Sequence, residues 1–241
     1  MKNKKIGSLI LLGLGLGTSA PAYNRTIDFS GYTWQVKTSS GRVGPGPNYF
    51  SDSPNNVWVD SAGLHLKITR SGNRWYCAEV ICNSSPGFGA YRFYLGSAVD
   101  ALDPKVVLGL FTWSDEQAYN NRELDIEFSR WGVVNNQNAQ YVVQPYDAPG
   151  NLYRFNEPAG YPHTTHRFQW LSDRVAFLSL KGWYVTPPDP SYIINQNTFT
   201  NGIPPTGGLV APRMNLWLYQ SKAPTNRQPV EVIINKFEFI P

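Results

Sequence analysis

Short runs of β-branched and aromatic residues recur along this chain, and they constrain its fold more than any other feature. Many of the runs alternate apolar and polar residues, which is the period of a β-strand with one buried face. Clusters of Gly, Pro, Asn and Ser separate them, and these residues favour tight turns. No segment carries sustained apolar residues at helical spacing, so long helices are not expected. The runs are residues 33–37, 56–59, 64–69, 90–95, 106–113, 123–128, 139–144, 166–171, 174–180, 214–220 and 230–239.

The strands and the turns between them predict an all-β fold. Many short antiparallel strands in 241 residues are typical of a two-sheet antiparallel β-sandwich, a jelly roll or a barrel. We expect residues 23–241 to form one domain, because no long linker, repeat or low-complexity block interrupts them. A charged fraction of 16% with an aromatic fraction of 14% argues against disorder. One face of a sandwich is usually curved and open to solvent, which suits an extended polymer.

The first 22 residues have the organisation of a secretory signal peptide. Three lysines precede an apolar stretch at residues 6–17, and Ala20-Pro21-Ala22 matches an A-x-A cleavage site. We therefore expect cleavage after Ala22 and a secreted protein, extracellular or periplasmic; a short amphipathic helix is the alternative.

Charge and hydropathy exclude two classes of partner. Loss of the three N-terminal lysines makes the chain nearly neutral in place of its net charge of +4, so no nucleic-acid partner is expected. No apolar run reaches the roughly 20 residues that cross a bilayer, so no membrane partner is expected after cleavage.

The sequence contains two cysteines, Cys77 and Cys82, and leaves open whether they form a disulfide. An exported protein can form such a bond, but these residues lie five positions apart in a segment that alternates like a strand. Side chains at that spacing point to opposite faces and lie roughly 16 Å apart, whereas a disulfide needs Cα atoms within about 7 Å. The bond therefore requires the strand to turn before Cys82.

The stretch Glu-Leu-Asp-Ile-Glu-Phe at residues 123–128 is the strongest indication of chemistry. Alternation on a strand places Glu123, Asp125 and Glu127 on one face and the three apolar residues on the other. Neighbouring carboxylates then lie roughly 6.6 Å apart at their Cα atoms. Like charges aligned in this way cost free energy unless they are used.

Three interpretations of these carboxylates are open. The first is a solvent-facing strand neutralised by Arg122 and Arg130. The second is calcium binding, which needs more oxygen ligands than one strand face supplies. The third is glycoside hydrolysis, since retaining glycosidases use two carboxyl groups about 5–5.5 Å apart. Glu123 and Glu127 lie about 13 Å apart at Cα on a flat strand, so only a concave sheet brings both to one sugar.

The ELDIE segment resembles the signature of glycoside hydrolase family 16, whose members are concanavalin-like jelly rolls. In that family the first Glu is the nucleophile, the Asp assists and the last Glu is the acid/base. The resemblance therefore assigns these roles to Glu123, Asp125 and Glu127. The regular spacing, without an extra bulge residue, is similar to that of lichenases and xyloglucan-active enzymes.

Further segments carry the same resemblance over most of the chain. They include the MNLW strand at 214–217, the FTW strand end at 111–113, the Gly-aromatic-Gly turn at 87–91 and the segment at 46–50. Where lichenases usually carry a Trp two residues before the nucleophile, this chain has Asn121. The substrate-binding residues implied by the resemblance, or by a place beside the acidic strand, are Asn48, Phe50, Glu79, Trp113, Asn121, Arg122, Gln140, Gln144, Asn215 and Trp217.

The resemblance implies a secreted, retaining endo-β-glucanase acting on β-1,3-1,4- or β-1,3-glucan. No cofactor or catalytic metal is required, because two carboxyl groups supply the chemistry. A structural calcium ion, as in lichenases, would fall near Asn235, where that family uses an Asp. A transglycosylase on β-glucan or xyloglucan and a non-catalytic lectin-like protein are the alternatives. We expect a monomer, since nothing in the sequence indicates an obligate interface.

Overall fold

The computed structural model describes residues 22–119 and 121–241, with side chains from residue 25 onward. The predicted signal peptide, apart from Ala22, lies outside these residues. The described chain forms strands joined by turns and three short 3₁₀ helices, at Gln117–Tyr119, Pro190–Tyr192 and Tyr219–Ser221. The strands are β1 (Ala22–Phe29), β2 (Tyr32–Thr38), β3 (Tyr49–Phe50), β4 (Val57–Asp60), β5 (Gly63–Ser71), β6 (Arg74–Cys82), β7 (Gly89–Leu95), β8 (Val106–Trp113), β9 (Leu124–Phe128), β10 (Ala139–Val143), β11 (Leu152–Phe155), β12 (Thr164–Trp170), β13 (Val175–Lys181), β14 (Ile193–Phe199), β15 (Ala211–Leu218) and β16 (Val230–Ile240).

The strands form two sheets that meet at one corner. The first sheet has the order β11-β10-β9-β8-β15-β6-β2-β1, and the second has the order β4-β5-β16-β7-β12-β13-β14. Pairing between β5 and β6 near their shared turn connects the two sheets. Neighbouring strands are antiparallel, and the described exception is the two-residue β3, which runs parallel to the start of β6. The predicted all-β fold of the jelly-roll sandwich type is confirmed.

Aromatic side chains from the two sheets fill the space between them. Tyr141 of β10 stacks on Phe177 of β13 with ring centroids 4.8 Å apart. The Tyr141 hydroxyl also lies 2.6 Å from the hydroxyl of Ser179, which is on β13 as well. At the other end of the sandwich, Trp34 of β2 meets Phe237 of β16 edge-on at 5.3 Å. Burial of such large rings is the main free-energy gain of a sandwich.

The core also fixes the outward face of β9. Leu124, Ile126 and Phe128 are fully buried, and Phe128 meets His166 of the second sheet at 4.7 Å between ring centroids. Because side chains alternate along a strand, the residues between them face away from the second sheet. The acidic residues of β9 therefore lie on the outer face of the first sheet.

The cysteine geometry follows from a continuous β6. This strand runs from Arg74 to Cys82 without the turn that a disulfide would require. Cys77 and Cys82 are both free and buried. In the part of the chain that the structure describes, no helix is long and apolar enough to cross a membrane.

Candidate active site

Three carboxyl groups project from the outer face at β9. Glu123 lies immediately before the strand and is partly exposed, whereas Asp125 and Glu127 are only 3% and 8% exposed. The side chains of Asp125 and Glu123 are hydrogen-bonded to each other. The predicted placement of the three acids on one face is therefore what the structure has.

Two glutamines from the neighbouring strand region hold two of these acids. Gln140 Nε2 donates to Glu127 Oε2 at 2.7 Å, and Gln144 Nε2 donates to Asp125 Oδ2 at 3.1 Å. Each glutamine is itself oriented, because its oxygen accepts another hydrogen bond. Arg154 Nε donates to Gln140 Oε1 at 3.1 Å, and a backbone N–H donates to Gln144 Oε1 at 2.9 Å. Both amides can therefore present only their NH₂ groups to the carboxyls.

Strand register places the last glutamate in a line of polar residues across the first sheet, here called the central row. Gly109 stands in this row between Asn215 and Glu127 and contributes no side chain. A Cβ at Gly109 would lie 2.5 Å from Asn215 Oδ1. That oxygen is buried and has no hydrogen-bond partner within the described chain. In order, the row is Glu79, Asn215, Gly109, Glu127, Gln140 and Arg154.

Burial and mutual repulsion keep protons on these acids. Burial raises the pKa of Glu127 to about 8, and the charge of Asp125 adds to the rise, while Gln140 and Arg154 oppose it. Burial also raises the pKa of Glu123 to about 8, and the charge of Glu127 adds to the rise, although the hydrogen bond from Asp125 and the charge of Arg213 oppose it. The pKa of Asp125 is raised well above its ordinary value by burial and by the charge of Glu123. The group therefore holds protons at neutral pH, as coupled carboxyls do.

A buried ion-pair network borders the acids on the side of Glu79. Lys37 Nζ lies 2.8 Å from Glu79 Oε2, and Arg213 Nη1 lies 3.3 Å from Glu79 Oε1. Arg213 Nη2 also reaches Asp115 Oδ2 at 2.8 Å, and its charge favours the ionised form of Glu123. Sequence reasoning predicted Glu79 alone. The alternation of β15 could have identified Arg213, which shares a face with Asn215.

The two predicted tryptophans occupy different environments. Trp113 ends β8 and is partly exposed, and its indole N–H donates to Asp115 Oδ1 at 3.1 Å. Trp217 is 5% exposed and meets Trp131 edge-on with centroids 6.2 Å apart. Trp113 thus offers an accessible ring near the acids, whereas Trp217 packs into an aromatic cluster.

The structure corrects the predictions for Asn48 and Phe50. Asn48 is buried, and its Nδ2 donates to the carbonyls of Pro45 and Leu218, both at 2.9 Å. Phe50 is 1% exposed, with the Lys37 ammonium 4.3 Å from its ring centroid. Asn48 therefore anchors a loop, and Phe50 belongs to the core, where no sugar can reach its face.

The two residues before the nucleophile position lie outside the acid cluster. Asn121 is exposed with a positive φ of 67°. The Arg122 guanidinium donates to the carbonyls of Thr206 and Gly207 and stacks over Tyr119 at 4.3 Å. Arg122 therefore anchors a loop, and none of the contacts described for its guanidinium is with a carboxyl group.

Candidate metal ligands are sparse in residues 22–119 and 121–241. No group of three His, Cys, Asp or Glu in these ranges is arranged to hold a metal ion. Asn235, the predicted counterpart of a calcium ligand, donates its amide to the Ala62 carbonyl at 3.2 Å.

Solved structures with a similar fold include proteins described as β-glucanases and one described as a pseudo β-1,3-glucanase. The Bacillus licheniformis β-glucanase is 20% identical, with a TM-score of 0.66 over 93% of this chain and 100% of that one. The chain has the β-glucanase fold. A lichenase from a mouse hindgut metagenome, described as a β-1,3-1,4-glucanase, is 17% identical, with a TM-score of 0.62 over 86% of this chain and 92% of that one. A Mycobacterium tuberculosis protein described as a pseudo β-1,3-glucanase is 18% identical, with a TM-score of 0.59 over 84% and 88% of the two chains.

Two other comparisons found no similar protein. No protein-family model matches the sequence, and no curated protein matches it. The resemblance drawn from the ELDIE motif is therefore confirmed at the level of the fold.

Proposed function

We propose that this chain is a secreted retaining endo-β-glucanase, with residues 23–241 as one catalytic domain. The observation that carries the proposal is the set of three carboxyls on the outer face of β9. Glu123 is the most accessible of them, and burial raises the pKa of both Glu123 and Glu127 to about 8. Retaining glycosidases require an ionised nucleophile and a protonated acid, and Glu123 is the carboxyl whose ionised form is favoured by the Asp125 hydrogen bond and the Arg213 charge.

The first chemical step uses the two glutamates in opposite protonation states. The Glu123 carboxylate attacks the anomeric carbon while the Glu127 carboxyl donates its proton to the glycosidic oxygen. The bond between that carbon and oxygen breaks, and a glycosyl ester on Glu123 forms. Asp125 supports the step because its hydrogen bond to Glu123 favours the ionised nucleophile and opposes the rise in pKa that burial causes.

The second step reverses these roles. Glu127, now ionised, takes a proton from water, and the resulting hydroxide displaces Glu123 from the sugar. Gln140 holds the Glu127 carboxylate in place at 2.7 Å during this step. Two inversions at the same carbon retain its configuration.

The surroundings of the acids suit a neutral sugar polymer. Trp113 offers a partly exposed ring for the CH face of a pyranose. We propose β-1,3-1,4-glucan or β-1,3-glucan as substrate, because the B. licheniformis and metagenome enzymes with this fold carry glucanase names.

A non-catalytic glucan-binding protein is the second candidate. Asp125 and Glu127 are more than nine-tenths buried, which leaves little carboxyl surface for a substrate. One protein with this fold is described as a pseudo β-1,3-glucanase. A transglycosylase would use the same carboxyls, with a sugar hydroxyl in place of water in the second step.

One assay separates these candidates. The protein is incubated with barley β-glucan, laminarin, xyloglucan and agarose, and reducing ends and product lengths are measured. A glucanase releases short products whose first anomer is β, as recorded by NMR before mutarotation. Longer products indicate transglycosylation, and binding without release of reducing ends indicates the non-catalytic candidate.

A further inference from the structure

A cavity of about 520 Å³ lies where β3, the start of β6 and the end of β15 meet. Four arginines line it, and no aspartate or glutamate does. Two of them belong to the β5–β6 hairpin, one to the loop before β3 and one to the loop after β15. These residues are Arg42, Arg70, Arg74 and Arg227.

The guanidinium groups around this cavity lack acidic partners. Among the described residues, none of the four forms an ion pair with a carboxylate. Arg70 Nε donates to the Gly72 carbonyl at 2.9 Å. Arg42 and Arg74 both lie over the ring of Tyr49, at 5.6 and 5.1 Å from its centroid. The remaining N–H groups are available to an oxyanion, for which the guanidinium fork is the best-matched side chain.

The lining of the cavity also includes uncharged groups of the kinds that bind sugars. The partly exposed Trp75 provides aromatic surface, while Asn73 and Ser221 provide an amide and a hydroxyl. Aromatic faces accept the CH groups of a pyranose, and amides and hydroxyls pair with its OH groups. A sugar that also bears a negative charge would contact both the arginines and these uncharged groups.

The cavity lies at the end of β15, the strand that also carries Asn215 of the central row. Leu218 lines the cavity, and Asn215 of the central row precedes it by three residues on the same strand. Three residues of a strand span roughly 10 Å.

We propose that this cavity binds an anionic sugar unit, carrying a sulfate or carboxylate group, of a glycan chain. The proposal rests on the proposed function only in taking the ligand to be a glycan. The arginines neutralise the anionic group, and Trp75 contacts the sugar ring. The protein then prefers a substituted, negatively charged polysaccharide over its neutral parent.

Isothermal titration tests the proposal with matched ligands. The protein carries Glu123→Gln so that hydrolysis cannot consume the ligand. The ligands are a laminarin oligosaccharide, the same oligosaccharide after sulfation, and its carboxymethyl derivative. We expect at least tenfold tighter binding of a charged form than of the parent at low salt, with the difference shrinking as salt screens the charges.

Arginine variants connect that preference to the cavity. Arg42→Gln combined with Arg74→Gln should weaken binding of the charged ligand at least tenfold and leave binding of the parent unchanged. Arg227→Gln, on a separate loop, should weaken it severalfold. Arg174→Gln is the matched control, because this exposed arginine pairs with Asp173 and lies outside the cavity. Equal melting temperatures establish that the variants are folded.

Two results would overturn the proposal. One is equal affinity for charged and neutral oligosaccharides, or an affinity that the arginine variants do not change. The other is equally tight binding of inorganic sulfate, polyphosphate or DNA, which would make the cavity a general anion site. Failure of the glucanase assay alongside arginine-dependent binding would refute the proposed function and leave this site standing.

Discussion

Gln140 donates its amide N–H to Glu127 at 2.7 Å while Arg154 holds the other end of the same amide at 3.1 Å. The arrangement fixes the orientation of Gln140, because a flipped amide would place an NH₂ group against the guanidinium. Gln140 and Arg154 both favour the ionised form of Glu127. They therefore limit how far burial can raise the pKa of the proposed acid.

Removing Gln140 should extend activity to higher pH. Without the hydrogen bond, the pKa of Glu127 rises further above about 8, and the acid stays protonated in more alkaline solution. A hydrogen bond to a charged group contributes about 1.5–3 kcal/mol, which corresponds to roughly one to two pH units. In Gln140→Leu the alkaline limb of the kcat/KM profile should move upward by about that amount, and kcat should fall about tenfold.

Arg154→Gln should move the same limb in the same direction by a smaller amount, since only its charge and one amide contact are lost. Arg174→Gln, remote from the acids, is the control and should leave the profile unchanged. A downward shift of the alkaline limb in Gln140→Leu would contradict this description of Glu127.

Gly109 should tolerate no side chain. A Cβ there would lie 2.5 Å from Asn215 Oδ1 and next to Glu127 in the central row. Crowding of a packed site costs about 1–3 kcal/mol. We expect Gly109→Ala to lower the unfolding free energy by that amount and kcat/KM at least tenfold, as measured by urea unfolding and glucan hydrolysis.

Gly96→Ala provides the comparison for Gly109. A Cβ added at Gly96 would have Ile233 Cγ2 as its nearest neighbour, at 3.4 Å, which is close to an ordinary van der Waals contact. The unfolding free energy and the kcat/KM of Gly96→Ala should both stay near the wild-type values. Full activity in Gly109→Ala would show that the central row does not shape the substrate site.

The accuracy of the strand predictions depended on position in the sheets. The predicted run at 106–113 matches β8, which lies inside the first sheet and is almost entirely buried. Three of the four edge strands, β1, β11 and β14, were not predicted, whereas the fourth, β4, matches the predicted run at 56–59. Edge strands face water and carry polar residues, as in the IINQNTF sequence of β14, so the hydrophobic pattern that marks a central strand is weak there.

The site was predictable only along single strands. Alternation alone placed Glu123, Asp125 and Glu127 on one face, since that relation is local. The approach of Arg154 to Gln140 and of Lys37 to Glu79 depends on which strands are neighbours and in what register. A single sequence contains no direct signal for either.

The cysteine thiols should be unreactive in the native protein. Cys77 is fully buried, and burial raises the pKa of its thiol to about 12. We expect no fast reaction with a thiol reagent under native conditions and two reactive thiols in denaturant without reductant. A mass spectrum of a non-reduced digest with Cys77 joined to Cys82 would contradict the continuous β6.

Glu157 should make the fold less stable in alkaline solution. It is 4% exposed, neither carboxyl oxygen has a partner within the described chain, and burial raises its pKa to about 8. Because the pKa of Glu157 is raised in the folded state, this residue costs the fold no stability below its ordinary pKa near 4.5. The unfolding free energy then falls as the pH rises from that value towards 8. The loss is roughly 1.4 kcal/mol per pH unit over that interval.

Glu157→Gln removes this titration, so the variant should gain stability relative to wild type between pH 5 and pH 9 in urea unfolding. Glu238→Gln is the opposing control. Lys236, Tyr94 and Arg92 hold the pKa of Glu238 down to about 2. That variant should be less stable than wild type at neutral pH, and no gain for Glu157→Gln at pH 9 would exclude an unpaired buried carboxyl.

Azide rescue with an activated β-glucoside tests the assignment of the two glutamates most directly. In Glu123→Ala, hydrolysis should fall at least a thousandfold, and azide should replace the missing nucleophile and give an α-glycosyl azide. In Glu127→Ala, azide should attack the ester on Glu123 and give the β-glycosyl azide, with each anomer identified by NMR. Undiminished hydrolysis in either variant, or the opposite pair of anomers, would contradict the account.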